Sequence, residues 1–266
     1  MTDSPSLFRA DYPGHDTLPQ QLANALEALE WLERFERPYL LARYQASLGE
    51  LEVRLLGLKV ETRAYRCRVD LGQARLRRGE ALSPVALAAI ERAVASELLA
   101  WQSIEADHNR VLARSKRHPG GRPPLDPERV SRCRAAWRRL ACRLHPEIRP
   151  GEAFADRYWG KVQEAYRDMN ADLLDALAPF IEREVSAPTP TPEETVRLAK
   201  LLEVRRKRLH SQEAQAPFTW ADHLEDPDWI AEKRAGLMSE IEAESDTLAT
   251  LVLTFAGMSA GASTAT

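Results

Sequence analysis

A cluster of arginines between residues 129 and 149 is the part of the sequence with the most evident capacity for binding. Seven arginines and a single acid, Glu147, give this stretch a local charge of +6, whereas the whole chain carries −3. Guanidinium groups fixed on one rigid element attract an acidic protein surface and accelerate its encounter. We therefore expect a partner-binding surface here. Its candidate arginines are Arg134, Arg138, Arg139 and Arg143.

The tripeptide His145-Pro146-Glu147 follows directly after these arginines and is the second candidate binding element. A histidine near a carboxylate has the groups needed for proton transfer. The intervening proline fixes a turn, however, and no nucleophile lies nearby in sequence to complete a catalytic triad. The sequence also lacks a glycine-rich phosphate-binding motif. It therefore predicts a non-enzymatic protein without a cofactor or a metal site.

Two short amphipathic helices are predicted to position these groups, one from about residue 126 to 145 and one from about residue 152. Asp126 and Pro127 suit the N-cap and first turn of the first helix, and Pro146 ends it. The apolar stripe of the first helix consists of Val130, Cys133, Trp137, Leu140 and Leu144. The stripe of the second helix consists of Phe154, Tyr158, Val162, Ala165, Met169 and Leu173. The pattern predicts an antiparallel pair with His145-Pro146-Glu147 exposed at its tip.

Residues 136 to 150 resemble the second helix and loop of a J domain, the module with which DnaJ-type co-chaperones stimulate a DnaK-type ATPase. Trp137 stands where the family usually has tyrosine, and His145-Pro146-Glu147 stands at its His-Pro-Asp signature. Arg138-Arg139 matches the family's basic pair, and its core positions are matched by Leu140, Ala141 and Leu144. In the third helix the resemblance rests on Trp159, Val162 and the run Gln163-Glu164-Ala165-Tyr166.

The chain departs from the family in three respects, and the resemblance covers about a fifth of it. Glu147 replaces the signature aspartate, which moves the carboxylate one methylene outward. The Tyr-x-x-Leu-Gly pattern that opens the family's first helix is missing before Pro123. No Gly/Phe-rich region or zinc-binding cysteine repeat follows, so a full client-delivering DnaJ-type protein is not indicated. The arrangement looks like that of bacterial J-like proteins set between coiled coils.

The resemblance implies a co-chaperone-like adaptor that docks on a DnaK-type ATPase through the arginines and His145-Pro146-Glu147. One alternative is a structural assembly protein that keeps the J-like fold only as a packing unit. Another is a nucleic-acid-associated accessory protein, since arginines also bind phosphates. Nucleic acid is disfavoured because the nearby aromatic residues lie on the buried stripe and not among the arginines.

The remaining sequence predicts an all-α protein built around a long antiparallel helical hairpin. Apolar residues recur at steps of three and four between Leu48 and Leu76, which is a heptad pattern that favours a coiled coil within the chain or with a second copy. The predicted domains are a flexible arm over 1–18, the coiled-coil hairpin over 19–117, the J-like domain over 118–185, a proline-rich linker over 186–192, a C-terminal helical arm over 193–256 and a disordered tail over 257–266. The basic run 205–208 is interpreted as a solvated helix face.

The composition excludes several classes of protein. With 44% hydrophobic and 29% charged residues the chain is neither disordered nor a membrane protein. The three cysteines, Cys67, Cys133 and Cys142, are too few for a disulfide framework, and they lack the pairing typical of zinc sites. The first residues do not form a signal peptide. A soluble protein of the cytoplasm is expected.

Overall fold

The computed structural model describes residues 16–117 and 126–263, and these residues are mostly helical and contain no strand. This confirms the all-α prediction. The α-helices are α1 (Leu18–Trp31), α2 (Arg37–Arg77), α3 (Pro84–Arg117), α4 (Pro127–Leu144), α5 (Ala153–Arg167), α6 (Ala171–Glu184), α7 (Pro192–Glu213) and α8 (Pro227–Ser263). A π-helical segment, Leu32–Glu36, joins α1 to α2. Residues 1–15 of the predicted arm over 1–18 lie outside the described residues, and α1 already begins at Leu18.

The chain divides into two compact units, each built from separated stretches of sequence. Unit 1 takes residues up to 38 together with 122–219, and unit 2 takes 39–121 together with 220 onward. This division differs from the predicted domain boundaries in two places. Helix α1 and helix α7 both lie in unit 1 with α4 and α5, whereas the sequence assigned them to the hairpin and to the C-terminal arm.

Unit 1 is organised around α4, which packs against α1, α5 and α6, while α1 also packs along α7. The predicted stripe of α4 is largely confirmed, because Cys133, Trp137, Leu140 and Leu144 are buried in one core. That core is completed by Leu22 and Leu26 of α1, Val162 and Tyr166 of α5, Leu174 and Ile181 of α6, and Leu198 and Leu202 of α7. Helix α1 thus packs on α4 from a position about 100 residues earlier in the chain.

Unit 2 contains α2 and α3, whose contacts run in opposite order along the two helices. Arg63 of α2 pairs with Glu97, and Arg68 further along pairs with Glu91, so the two helices are antiparallel. Four buried positions of α2 are spaced by seven residues, as the heptad pattern requires: Leu48, Leu55, Thr62 and Val69. A regular coiled coil along this whole length stays a prediction.

Two details of unit 2 differ from the sequence-based expectations. The buried stripe of α3 is Ala86, Ile90, Val94 and Leu98. Beyond it Trp101, Ile104 and Val111 are exposed, although their near-heptad spacing in the sequence predicts them on the same packed seam. Helix α8 continues to Ser263, so the prediction of a disordered tail is wrong for residues 257–263. Residues 264–266 lie outside the described part.

Candidate partner-binding site

Helix α4 begins and ends where its local sequence dictates. The Asp126 carboxylate accepts the amide N–H of Glu128 at 3.1 Å, and Pro127 occupies the first turn, as predicted. At the other end His145 is the C-cap residue in an extended conformation, because the proline that follows excludes the helical one. The carbonyl of His145 then accepts the amides of Ile148 and Arg149, each at 2.9 Å, which closes a compact turn.

The imidazole of His145 is held in a fixed orientation inside unit 1. Its ring centroid lies 4.8 Å from that of Trp159 and 6.4 Å from that of Trp137, both edge-on. The Nδ1 atom accepts the amide N–H of Glu147 at 3.1 Å. Burial lowers the pKa of His145 to about 4, and the nearby Arg205 guanidinium acts in the same direction against the opposing Glu147 carboxylate. The ring is therefore neutral at physiological pH and serves to shape the loop.

The carboxylate and carbonyl groups of the loop are bound by helix α7. Arg205 binds the Glu147 carboxylate through both Nε, at 3.0 Å, and Nη2. Arg197 donates from Nη1 to the Glu147 carbonyl at 2.6 Å and from Nη2 to the Ile148 carbonyl at 3.2 Å. The prediction that the His145-Pro146-Glu147 tip is exposed is therefore wrong for two of its residues. Pro146 is exposed, but His145 and Glu147 are half-buried.

Arg134 belongs to the interior of unit 1 and not to a solvent-facing surface. Its Nε and Nη2 atoms donate to the two carboxylate oxygens of Glu27 at 2.7 and 2.9 Å. Glu27 is only 1% exposed and also accepts the Tyr166 hydroxyl at 2.6 Å. The Arg134 guanidinium lies 4.8 Å from the Trp31 ring centroid. The sequence predicted Arg134 among the partner-binding arginines. This prediction is wrong, because its guanidinium binds Glu27 of α1, which also accepts the Tyr166 hydroxyl of α5.

Acidic side chains of α6 compensate much of the remaining basic charge of α4. Arg139 pairs with Glu182 at 3.1 Å, and Arg143 approaches the same carboxylate at 3.9 Å. Arg132 pairs with Asp172 and Asp175. The local surplus of positive charge counted along the sequence is thus reduced in space, because α6 brings its acids alongside α4.

Three of the predicted arginines do come together, in a cleft of about 330 Å³. Arg138, Arg139 and Arg143 line it from α4, Asn24 lines it from α1, and Asp16 lines it from just before α1. Arg138 is half-buried and has no ion pair among the residues that the structure describes. The arginines at this cleft therefore remain near solvent, while the His145-Pro146-Glu147 loop is covered by α7. The sequence predicted one binding surface from these arginines and the loop, but the arginine cleft and the loop are two separate sites.

Sequence reasoning missed the residues that cover the loop, Arg197 and Arg205. They lie eight residues apart and so share one face of α7 with Leu198 and Leu202, which are buried in the core. This spacing could have revealed them in the sequence. Arg197 and Arg205 flank Leu198 and Leu202, and a charged residue next to a buried apolar stripe lies at the edge of a packed helix face. The prediction that the basic run 205–208 is a solvated helix face is therefore wrong for Arg205. Lys207, two residues further along α7, is exposed.

Within the described residues no group of His, Cys, Asp or Glu side chains is placed to hold a metal ion. No helix in that part of the chain is both long and apolar enough to cross a membrane. A scan against protein-family models finds no matching family, and searches of curated proteins and of solved structures find no similar chain.

Proposed function

We propose that this chain is a non-enzymatic, co-chaperone-like adaptor whose J-like pair, α4 and α5, docks a DnaK-type ATPase. The observation that supports this most is the fixed geometry of the loop between the two helices. His145 is held between Trp137 and Trp159 while its Nδ1 accepts the Glu147 amide. A loop held in one conformation loses little entropy on binding, which favours recognition by a partner.

The arginine cleft supplies the electrostatic part of this proposal. Arg138 has no ion pair within the described residues, and Arg139 is about half exposed while it pairs with Glu182. An acidic surface on the ATPase would be steered toward these groups, with an association rate that falls as salt increases. The proposal locates the protein in the cytoplasm, in keeping with its free thiols at Cys67, Cys133 and Cys142.

The experiment is a single-turnover ATP hydrolysis assay of a DnaK-type chaperone with the full chain added. We expect the wild type to accelerate hydrolysis and His145→Gln to return it to the basal rate. The matched control is His210→Gln, at an exposed position of α7 away from the loop. Circular dichroism verifies that both variants fold. Equal acceleration by the wild type and His145→Gln contradicts the proposal.

A second candidate is a structural assembly protein in which the J-like fold is only a packing unit. The observation in its favour is that Arg205 already binds the carboxylate that the family would offer to a chaperone. The exposed apolar residues Trp101 and Ile104 of α3 then become the expected contact for self-association. Sedimentation of Trp101→Glu tests this candidate, because loss of an oligomer supports it.

Glu147→Asp separates the two candidates in the same hydrolysis assay. Acceleration by Glu147→Asp with none by the wild type indicates a J-like unit that has lost its chaperone activity. Arg138→Glu combined with Arg139→Glu is the second discriminating change. It abolishes binding for a chaperone adaptor and leaves self-association intact for an assembly protein.

A further inference from the structure

Helix α7 binds polar groups of the His145-Pro146-Glu147 loop that a partner protein would otherwise contact. Three acceptor groups of the loop are bound by two guanidinium groups: the Glu147 carboxylate, the Glu147 carbonyl and the Ile148 carbonyl. Pairs between guanidinium and carboxylate with two parallel hydrogen bonds are among the stronger and more directional polar contacts in proteins. The loop in this structure is therefore already in a bound state, with the chain's own helix as the ligand.

We propose that α7 is an internal latch that keeps the His145-Pro146-Glu147 loop closed, and that a partner gains the loop only by displacing Arg205 from Glu147. The inference rests on the proposed function, because it names the regulation of the same docking site. The apparent affinity for the partner is then the intrinsic affinity reduced by the fraction of molecules in which the loop is free.

Different residues of α7 hold the helix in the core and contact the loop. Leu198 and Leu202 are buried in the unit 1 core and fix the helix in place. The Arg205 and Glu147 side chains remain about one-quarter exposed, at 23% and 27%. The guanidinium can therefore leave the carboxylate by side-chain rotation while the leucines stay buried. Release of the loop does not require α7 to unfold.

The segment before α7 is also hydrogen-bonded to the loop, so the start of α7 is held close to it. Arg149 donates to the Glu152 carboxylate at 2.7 Å and to the Ser186 carbonyl at 2.8 Å. Thr191 caps α7, with its hydroxyl accepting the Glu194 amide at 3.3 Å. Helix α7 therefore starts at a defined point near the loop, and Arg197 and Arg205 are delivered to it by helical periodicity.

The test compares Arg205→Ala with Lys207→Ala, two residues apart on the same helix. Lys207 is exposed and pairs with Glu203 of its own helix, so it serves as the matched control. Hydrogen exchange of the amides of residues 147–149 measures opening of the loop without any partner. Single-turnover hydrolysis by a DnaK-type chaperone measures docking. Arg205→Lys keeps the charge without the two parallel hydrogen bonds and is the second variant.

We expect Arg205→Ala to increase both loop exchange and chaperone stimulation roughly tenfold, with Arg205→Lys intermediate and Lys207→Ala unchanged. Unchanged exchange in Arg205→Ala overturns the latch, even where the wild type stimulates the chaperone. Faster exchange with equal stimulation by wild type and Arg205→Ala overturns it as a regulator. Faster exchange with no stimulation by either protein supports closure by α7 and overturns the co-chaperone function instead.

Discussion

The buried ion pair between Arg134 and Glu27 allows the strongest quantitative prediction for the stability of unit 1. Replacing Arg134 by Met removes both hydrogen bonds to the Glu27 carboxylate and leaves that group buried. Among the described residues, the Tyr166 hydroxyl is then its remaining hydrogen-bond donor. Removing one member of a buried pair costs roughly 3–5 kcal/mol. Because Tyr166 still donates to Glu27, we expect a loss of about 3 kcal/mol, at the lower end of that range.

The double variant Arg134→Met with Glu27→Leu is the informative comparison. It removes both charges and replaces them by apolar side chains, so that only the Tyr166 hydroxyl loses its acceptor. We expect it to cost about 1 kcal/mol, less than the single substitution, since an unpaired hydroxyl is less costly than an unpaired charge. The single variant Glu27→Leu completes the cycle. The interaction energy is the cost of the double variant minus the sum of the two single costs, so its magnitude exceeds about 2 kcal/mol by the cost of Glu27→Leu.

Native-state hydrogen exchange of the α4 amides at increasing urea concentrations measures the unfolding free energy of unit 1 separately from that of unit 2. The matched control is Arg132→Met, since Arg132 makes only exposed ion pairs on the opposite side of α4. A cost below 1 kcal/mol for Arg134→Met, or a double variant less stable than the single one, refutes the reasoning. Either result means that the pair does not hold α1 against α4.

Three further predictions concern other positions in the two units. His145 has a native pKa of about 4 against 6.5 when unfolded; the unfolded chain therefore binds the proton first, and stability falls by up to about 2 kcal/mol between pH 6.5 and 5. His145→Gln removes this part of the dependence in urea titrations at each pH. Tyr166→Phe costs about 1–2 kcal/mol by the same titration at pH 7, because the buried Glu27 carboxylate loses a donor. In unit 2 a Cβ built on Gly72 lies 2.6 Å from the flexible end of the Met258 side chain. We therefore expect Gly72→Ala to be tolerated and Gly72→Leu to lower the melting temperature. Gly57→Leu is the control, because a Cβ on Gly57 lies no closer than 3.5 Å to a described neighbour, the Glu105 side-chain oxygen. Equal melting temperatures for the two leucine variants contradict this last prediction.

Local features of unit 1 could be predicted because they depend on residues close together in the chain. The Asp126–Pro127 cap, the end of α4 before Pro146 and the stripe containing Trp137 and Leu140 follow from helix physics alone. These features account for the prediction of an antiparallel pair. Arg129 at the start of α4 donates to the Met169 carbonyl after the end of α5, whereas His145 at the end of α4 contacts Trp159 in the first half of α5.

Contacts between distant segments could not be predicted, and they decide the nature of the candidate site. Glu27 precedes Arg134 by 107 residues, and Glu147 precedes Arg205 by 58. A single sequence contains several acids that each arginine can reach, and periodicity does not select among them. The charge of the α4 arginines was therefore counted correctly, while its compensation by α1 and α6 was not foreseen.

The division of unit 1 into two stretches has a consequence for its biosynthesis. Helix α1 ends at Trp31 and its packing partner α4 begins at Pro127, so the ribosome must add 95 residues between them. At about 5–20 residues per second this takes roughly 5–20 s. During that interval the apolar face of α1, with Leu22 and Leu26, has no α4 to cover it. The nascent chain thus passes through a stage in which leucines that are buried in the finished unit are exposed to solvent.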